Sequence, residues 1–368
     1  MQCVTPLFRL YDISTKQTVR IVPRSEVMEG LKLKPNDIKF QLQKMNLHYL
    51  AQNRQIQTIP CQHCWACKLN YSAEWATRNM LESLEHEESY FITLTYDEEH
   101  LPIPEYMTYK EEWDLGYKTL EIDVKVENDG TWIDGTLYPD HVKKFIKDLR
   151  NYAQNHLGIQ GIRYFYCGEY GETTQRPHYH MLLYGMHLNP KDNYSYHVDK
   201  KFFKPHWKNK LLDELWPYGM HDIANIEWNS AAYVSRYCMK KIYEEDQSDK
   251  WYAENGKQKE FIRMSNRPGI GMKYYERNKM KIYENDGFAA KTVKGNNAIV
   301  RIKAFDKIFK EEYPEEFEKI EKHRKECAER ARRNSYKLSN YTDLERLQMK
   351  AEKIESKAKM LPRDMSVS

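Results

Sequence analysis

Nowhere in this 368-residue sequence does an apolar run reach bilayer-spanning length. The opening residues, MQCVTPLFRL, also lack the basic-then-apolar layout of a secretory signal. The cytosol is therefore the expected compartment. No GxxxxGK[ST] phosphate loop is present, so work driven by nucleotide hydrolysis, such as unwinding, has to come from another protein. No segment repeats. Cysteine is scarce, at seven residues, and in a reducing compartment these are expected to be metal ligands or free thiols rather than disulfides. Excess charge is scarce too: 58 basic residues face 54 acidic ones, a net +4, so any nucleic-acid footprint must be local. What the chain has in quantity is charge of both signs (30%) and tyrosine (28 residues), beside a hydrophobic share of 40% that suffices for a core.

The first sixty residues read as short extended segments (VTPLFRLYD, QTVRIV, IKFQLQ). CQHCWACK, Cys61 to Lys68, leads into a helix expected from about Tyr71 to Glu88. YFITLTY, Tyr90 to Tyr96, alternates like a strand. Residues 97–137, rich in charge with Pro and Gly, look like a surface insertion. Pro139 opens a helix to about Asn155, with Val142, Phe145, Ile146 and Leu149 on one face. GIRYFYCGEYG and HYHMLLYG read as strands around a polar turn. Trp207–Leu215 reads as a short helix, HDIANIEW as a strand, and Asn229–Tyr243 as a helix. After Pro314 a charged tail with helical patterning runs to about Lys359, as a solvated helix or a partly disordered arm. This order predicts an α+β fold, an antiparallel sheet with helices packed on it, similar in pattern to a ferredoxin-like split βαβ. The expected division is an N-terminal segment over 1–88, a main domain over 89–310 and the tail over 311–368.

Three groups of residues carry chemistry. His178 and His180, two apart on a strand, project from one face with Tyr179 on the other. Two imidazoles so placed can hold a divalent metal. By chance 13 histidines would give roughly half such a pair, so the neighbourhood has to decide. If 162–168 and 178–184 form a hairpin, Glu169 reaches the same face; Glu172 is the competing carboxylate, farther into the turn. Two histidines and a carboxylate leave positions open for phosphate oxygens on Mg²⁺ or Mn²⁺.

The second group is AAYVSRYCMKK, Ala231 to Lys241. On a helix Tyr233 and Tyr237 share a face, continued by Lys240 and Lys241. So tyrosine-rich a chain gives about two YxxxY pairs by chance, and alone this reads as an amphipathic core helix. Beside a metal, a tyrosine hydroxyl becomes a candidate nucleophile toward a phosphodiester, with a lysine to stabilise developing charge. Transfer to tyrosine keeps the bond energy, so rejoining needs no ATP. The third group, Cys61, Cys64 and Cys67, has a tight metal-binding spacing. A tetrahedral zinc needs a fourth ligand, with Cys3 the choice and His63 the runner-up; an iron–sulfur cluster or free thiols are the other readings. Asn266–Lys281, basic and aromatic, is either a grip on DNA phosphates and bases or a tight turn before an amphipathic helix.

FITLTYDEEHLP (Phe91–Pro102), CGEYGE…RPHYHMLLYG (Cys167–Gly185) and AAYVSRYCMKK resemble, in order, the three motifs of HUH-type rolling-circle replication initiators. The sequence is most similar to the initiators of gokushoviruses, small single-stranded DNA phages of the Microviridae. The MxCxxPL start, PCxxCxxC (Pro60–Cys67), LWPYG (Leu215–Gly219) and NRPGIG (Asn266–Gly271) look like that group as well, and the resemblance runs to about residue 310. It implies an HUH sheet with the histidines on a central strand and Phe91–Asp97 on its neighbour. It also implies His178, His180 and Glu169 as metal ligands, Tyr233 and Tyr237 as paired nucleophiles, and Lys240 as the assisting lysine. The implied reaction is nicking of the viral strand in circular DNA. A 5′-phosphotyrosine link forms, the free 3′-OH primes synthesis, and unit-length circles are rejoined. The implied partners are phage origin DNA, duplex and single-stranded, with host helicase, DNA polymerase and single-strand-binding protein in the bacterial host cytoplasm. An HUH transposase or relaxase relative, and a zinc-stabilised DNA-binding protein without catalysis, are the alternatives.

Overall fold

The computed structural model describes residues 3–5, 7–12, 18–22, 54–102, 135–171, 175–198, 204–243, 252, 255–291, 297–337 and 343–359. The expected strand IKFQLQ, most of the 97–137 insertion and Glu172 fall outside them. The chain divides into two compact units, Met1–Tyr71 with Lys307–Pro362 and Ser72–Asp306 with Arg363–Ser368.

In the first unit, strand β1 (Leu7–Asp12) pairs antiparallel with β2 (Thr18–Val22) on one side and β3 (Arg54–Ile59) on the other. Helix α1 runs Trp65–Ser83, starting six residues before the expected Tyr71. The Lys68 N–H already donates to the Cys64 carbonyl at 3.0 Å, so the cysteine segment itself winds the first turn.

The second unit is a seven-stranded sheet flanked by helices. Its strands are β4 (Ser89–Tyr96), β5 (Arg163–Tyr170), β6 (Pro177–Tyr184), β7 (Asn193–Val198), β8 (Pro205–Asn209), β9 (Gly219–Asn225) and β10 (Phe261–Met264), in spatial order β10-β5-β6-β4-β9-β8-β7, each pair antiparallel. Helices α2 (Pro139–Leu157), α3 (Lys210–Leu215), α4 (Trp228–Tyr243) and α5 (Met272–Glu284) belong to it, with a two-stranded pair β11 (Phe288–Lys291) and β12 (Asn297–Val300). Trp207–Leu215 is not one helix. Trp207 pairs with Ile223 in the sheet, and the Asn209 side chain accepts from the Leu211 N–H, capping a helix that begins only at Lys210. The chain continues as α6 (Lys303–Glu312), α7 (Pro314–Lys337) and α8 (Asp343–Lys359). Phe309, Tyr313 and Phe317 pack together at the α6–α7 junction, while most of α7 is exposed.

Each residue of β6 is buried, because the strand is central and covered on both faces. On one face Ile92, Leu94, Tyr179, Met181 and Leu183 meet the α2 stripe Val142, Phe145, Ile146, Leu149 and Ala153. Burying such side chains stabilises by about 1.5–3 kcal/mol each. Pro139 presets the first turn of α2, and Gly158 (φ 66°) ends it in the left-handed conformation. The Tyr179 hydroxyl accepts from the Tyr138 N–H at 2.7 Å and meets the Tyr96 hydroxyl at 3.1 Å, tying strand to helix start. Gly219 (φ 150°) lies so close to the β4 backbone that a Cβ there would collide with the Thr95 oxygen.

The other face is covered by the second half of α1 and by α4. Trp75 packs on Phe165, and Tyr184 donates to Asn79 Oδ1 at 2.9 Å. Asn79 Nδ2 in turn donates to Ser235 on α4 at 3.3 Å. The Asn266–Lys281 segment is a turn followed by α5. Its turn is locked by the buried Glu82–Arg163 pair, with Glu82 accepting from the Gly271 N–H and Arg163 donating to the Pro268 carbonyl. Tyr275 is fully buried against Phe305, so it does not serve to stack bases.

Burial holds His141, stacked on Tyr218, and His221, on the core face of β9, at pKa values of about 4, below the usual 6.5. Below about pH 6.5 the unfolded chain takes up protons at these sites that the folded chain refuses until about pH 4. Stability therefore falls as pH drops through this window. A melting-temperature series from pH 7 to 4.5 should decline, and His141→Phe should flatten the slope. Replacing Arg163 by Leu strands Glu82 in the interior and is expected to cost about 3–5 kcal/mol in a urea titration.

Candidate active site and metal centres

Antiparallel register brings the strand chemistry together. Glu169 on β5 is the cross-strand partner of His178, and Thr93 on β4 is the partner of His180. Glu169, His178 and His180 therefore stand on one face, opposite the α2 core, with their ligand-type atoms within 4.8 Å of one another. Glu169 Oε1 lies 2.9 Å from His178 Nε2 and 2.8 Å from His180 Nε2. Tyr233 on α4, only 1% exposed, donates its hydroxyl to the same oxygen at 2.9 Å and sets the edge of its ring against His180.

The outer nitrogens are held in place. His178 Nδ1 lies 3.0 Å from the Arg176 carbonyl and His180 Nδ1 3.0 Å from Thr93 Oγ1, while Phe91 stacks on His180. A proton on each Nδ1 leaves the Nε2 lone pairs turned toward Glu169. Burial alone would raise the Glu169 carboxyl. The charges and hydrogen bonds of His180 and His178 outweigh it and bring the pKa down to about 2, so the group is an anion at neutral pH. Its second oxygen, Oε2, is buried with no hydrogen-bond partner among the described residues. Ligands at right angles and about 2.1 Å from an ion lie about 3 Å apart, close to the spacings here. The donor set, its spacing and the orphaned oxygen all fit a divalent ion.

Tyr237 and Lys240 lie in the later turns of α4, but their side chains are outside the described residues. Several neighbours escaped sequence reasoning. Thr93 contacts His180 only through strand register. Arg176 holds His178 by its carbonyl and anchors its own guanidinium on the Tyr96 carbonyl at 2.9 Å. Arg236 lies over the Tyr233 ring at 5.3 Å, and its position three residues on along one helix was the available signal.

The cysteines form a separate centre. The Sγ atoms of Cys3, Cys61, Cys64 and Cys67 lie within 4.8 Å of one another. Cys3 Sγ is 3.5 Å from Cys61 Sγ and 3.7 Å from Cys64 Sγ. Sulfurs about 2.3 Å from a tetrahedral ion are about 3.8 Å apart. The Cys61 and Cys64 N–H groups donate to sulfur at 3.3 Å, as thiolates require. Burial raises the Cys3 thiol to about 11. It opposes the Cys64 thiolate as well, but there hydrogen bonds from the Val4 and Cys67 backbone prevail and lower the pKa to about 6. This cluster could bind a metal such as zinc; His63 is exposed and not among the four.

The sequence model of a family of phage replication proteins, described under the heading Replication-associated protein ORF2, matches residues 89–242, the span from β4 to α4. Replication-associated protein ORF2 of Spiroplasma virus 4 is 32% identical over 304 residues, 81% of this chain and 82% of the relative. Replication-associated protein VP4 of Bdellovibrio phage phiMH2K is 29% identical over 197 residues, covering 53% of this chain and 52% of the relative. Replication-associated protein ORF4 of Chlamydia phage 1 is 27% identical over 185 residues, 50% of this chain and 38% of the relative. No solved structure matches the chain. Among the described residues no helix is long and apolar enough to cross a membrane.

Elemental analysis of the purified protein should find one metal ion per chain held by the four sulfurs. Cys64→Ser should lose it and unfold at lower temperature.

Proposed function

Because this chain belongs to the Replication-associated protein ORF2 family, we propose that it is an HUH-type initiator of phage DNA replication that nicks one strand of circular DNA through a tyrosine. The observation that carries this reading is the convergence of His178, His180 and the Tyr233 hydroxyl on Glu169. A structural core histidine pair has no need of a tyrosine hydroxyl aimed at its carboxylate partner.

Tyr233 is the described candidate nucleophile, with Tyr237 one helical turn on as the second. The tyrosine oxygen bonds to phosphorus, the bond from phosphorus to the 3′ oxygen breaks, and the proton ends on that leaving oxygen. The products are a 5′-phosphotyrosine and a free 3′-OH, and the reverse step rejoins the strand without ATP. Glu169, ionised well below neutral pH, orients the hydroxyl rather than taking its proton. A Mg²⁺ or Mn²⁺ ion on Glu169, His178 and His180 would supply Lewis-acid polarisation of the scissile phosphate. Lys240 is assigned to the charge that develops there. Arg236 over the Tyr233 ring favours the phenolate electrostatically. Zinc on Cys3, Cys61, Cys64 and Cys67 is proposed as a structural ion. Phage origin DNA is the proposed substrate. With no nucleotide-binding loop in the sequence, unwinding and synthesis fall to the host's helicase, polymerase and single-strand-binding protein.

The test is a cleavage assay on origin-bearing phage DNA with Mn²⁺ or Mg²⁺, resolved on a denaturing protein gel. A labelled covalent adduct should form, require metal, and vanish in Tyr233→Phe/Tyr237→Phe. His178→Ala should slow it by on the order of 100-fold or more. Nicking that persists in the double variant without an adduct would overturn the tyrosine mechanism. Tight origin binding with no cleavage would leave a DNA-binding protein without catalysis.

A further inference from the structure

A second group of ligand-type side chains lies on the same face of the sheet, toward its other edge. Thr93, the partner of His180, is on its far side the partner of Asp222 on β9. Beside Asp222 stand His206 on β8 and His197 on β7. His206 Nδ1 pairs with Asp222 Oδ2, and His197 Nε2 lies 3.7 Å from Asp222 Oδ1. The two imidazole centroids are 5.4 Å apart, and the three ligand atoms lie within 4.8 Å of one another.

A bulge in β7 creates this grouping. Asn193 pairs with Asn209 and Tyr194 with Lys208, but the register then slips by one residue, so that His197 faces His206. Without the slip Tyr196 would face His206, and His197 would project from the opposite side of the sheet. The extra residue is accommodated with Ser195 in the left-handed region (φ 52°), unfavourable for a residue with a Cβ. That conformation places the Ser195 carbonyl 3.4 Å from His197 Nδ1. His178 is held by the carbonyl two residues before it in the same way. With the proton on Nδ1, the Nε2 lone pair of His197 turns inward.

The interior of the cluster is left unsatisfied. His197 Nε2 and Asp222 Oδ1 are both buried atoms without a hydrogen-bond partner among the described residues, and Asp222 as a whole is 8% exposed. A buried carboxylate oxygen facing an imidazole lone pair is an electrostatically unfavourable arrangement unless a cation lies between them.

We propose that His197, His206 and Asp222 form a second divalent-metal site, distinct from the Glu169, His178 and His180 triad. Two nitrogens and a carboxylate suit a transition-series cation such as Co²⁺, Mn²⁺ or Zn²⁺. Asp222 and His180 are two strand spacings apart, about 10 Å, too far to share one ion. The ion would join β7, β8 and β9 at the sheet edge and hold the bulge in place.

The probe is Co²⁺ alone, titrated into full-length protein whose cysteine centre is loaded with zinc, followed by calorimetry and visible absorption. Wild type should take up two Co²⁺ per chain. His178→Ala/His180→Ala should take up one, and adding His197→Ala should weaken that uptake by at least about 100-fold. His197→Ala alone, at a half-exposed position, should reduce wild-type uptake from two to one while leaving the metal-free melting temperature unchanged. No uptake by the His178→Ala/His180→Ala protein, or uptake indifferent to His197→Ala in both backgrounds, would overturn the proposal and leave a plain His206–Asp222 ion pair. DNA cleavage is not the readout, so failure of the nicking mechanism and failure of this site are separable.

Discussion

The two-residue period of one central strand is the constraint on which the rest depends. In β6, Tyr179 is fully buried on the helix side, and its hydroxyl receives the backbone N–H of Tyr138 at the start of α2. A strand so anchored cannot slip, because a shift of one residue would drive His178 and His180 into the apolar core and bring Tyr179 out. The aromatic anchor on one face therefore fixes the imidazoles on the other. Both neighbouring strands add to this: Glu169 is set beside His178 by β5, and Thr93 beside His180 by β4.

The electrostatics of the site follow from burial. A carboxylate at 1% exposure is costly in itself. Here two imidazoles and a hydroxyl converge on one oxygen, and the attraction of the histidines outweighs desolvation strongly enough to hold the group ionised. The arrangement is polarised and incomplete, since the second oxygen faces no donor among the described residues. A cation completes it. The cysteine centre follows the same logic with softer ligands: backbone N–H groups point at sulfur, and the four sulfurs are spaced for a tetrahedral ion.

Helix α4 reaches the site through a polar relay rather than an apolar one. Tyr184 at the end of β6 donates to Asn79, and Asn79 donates to Ser235, two residues from Tyr233 on the same helix. Hydrogen bonds have narrower geometric tolerance than apolar contacts. They fix the rotation of α4 about its axis, and with it the direction of the Tyr233 hydroxyl.

Much of this was legible in the sequence because it is local. The β-branched and aromatic alternation of YFITLTY, the 3.6-residue stripe from Val142 to Leu149 and the spacing of Cys61, Cys64 and Cys67 each follow from residue type and period. So did the placing of His178 and His180 on one face and Tyr179 on the other. The start of α1 was misjudged because one backbone bond within the cysteine turn decides it, and the helix expected over Trp207–Leu215 because a single capping asparagine divides strand from helix. Thr93, Asp222, His206 and Arg163 carry no local sign of their roles. Strand order, a one-residue bulge at Ser195 and the packing of α1 against the turn before α5 bring them to their partners, and these are choices among long-range pairings that no short window of sequence contains.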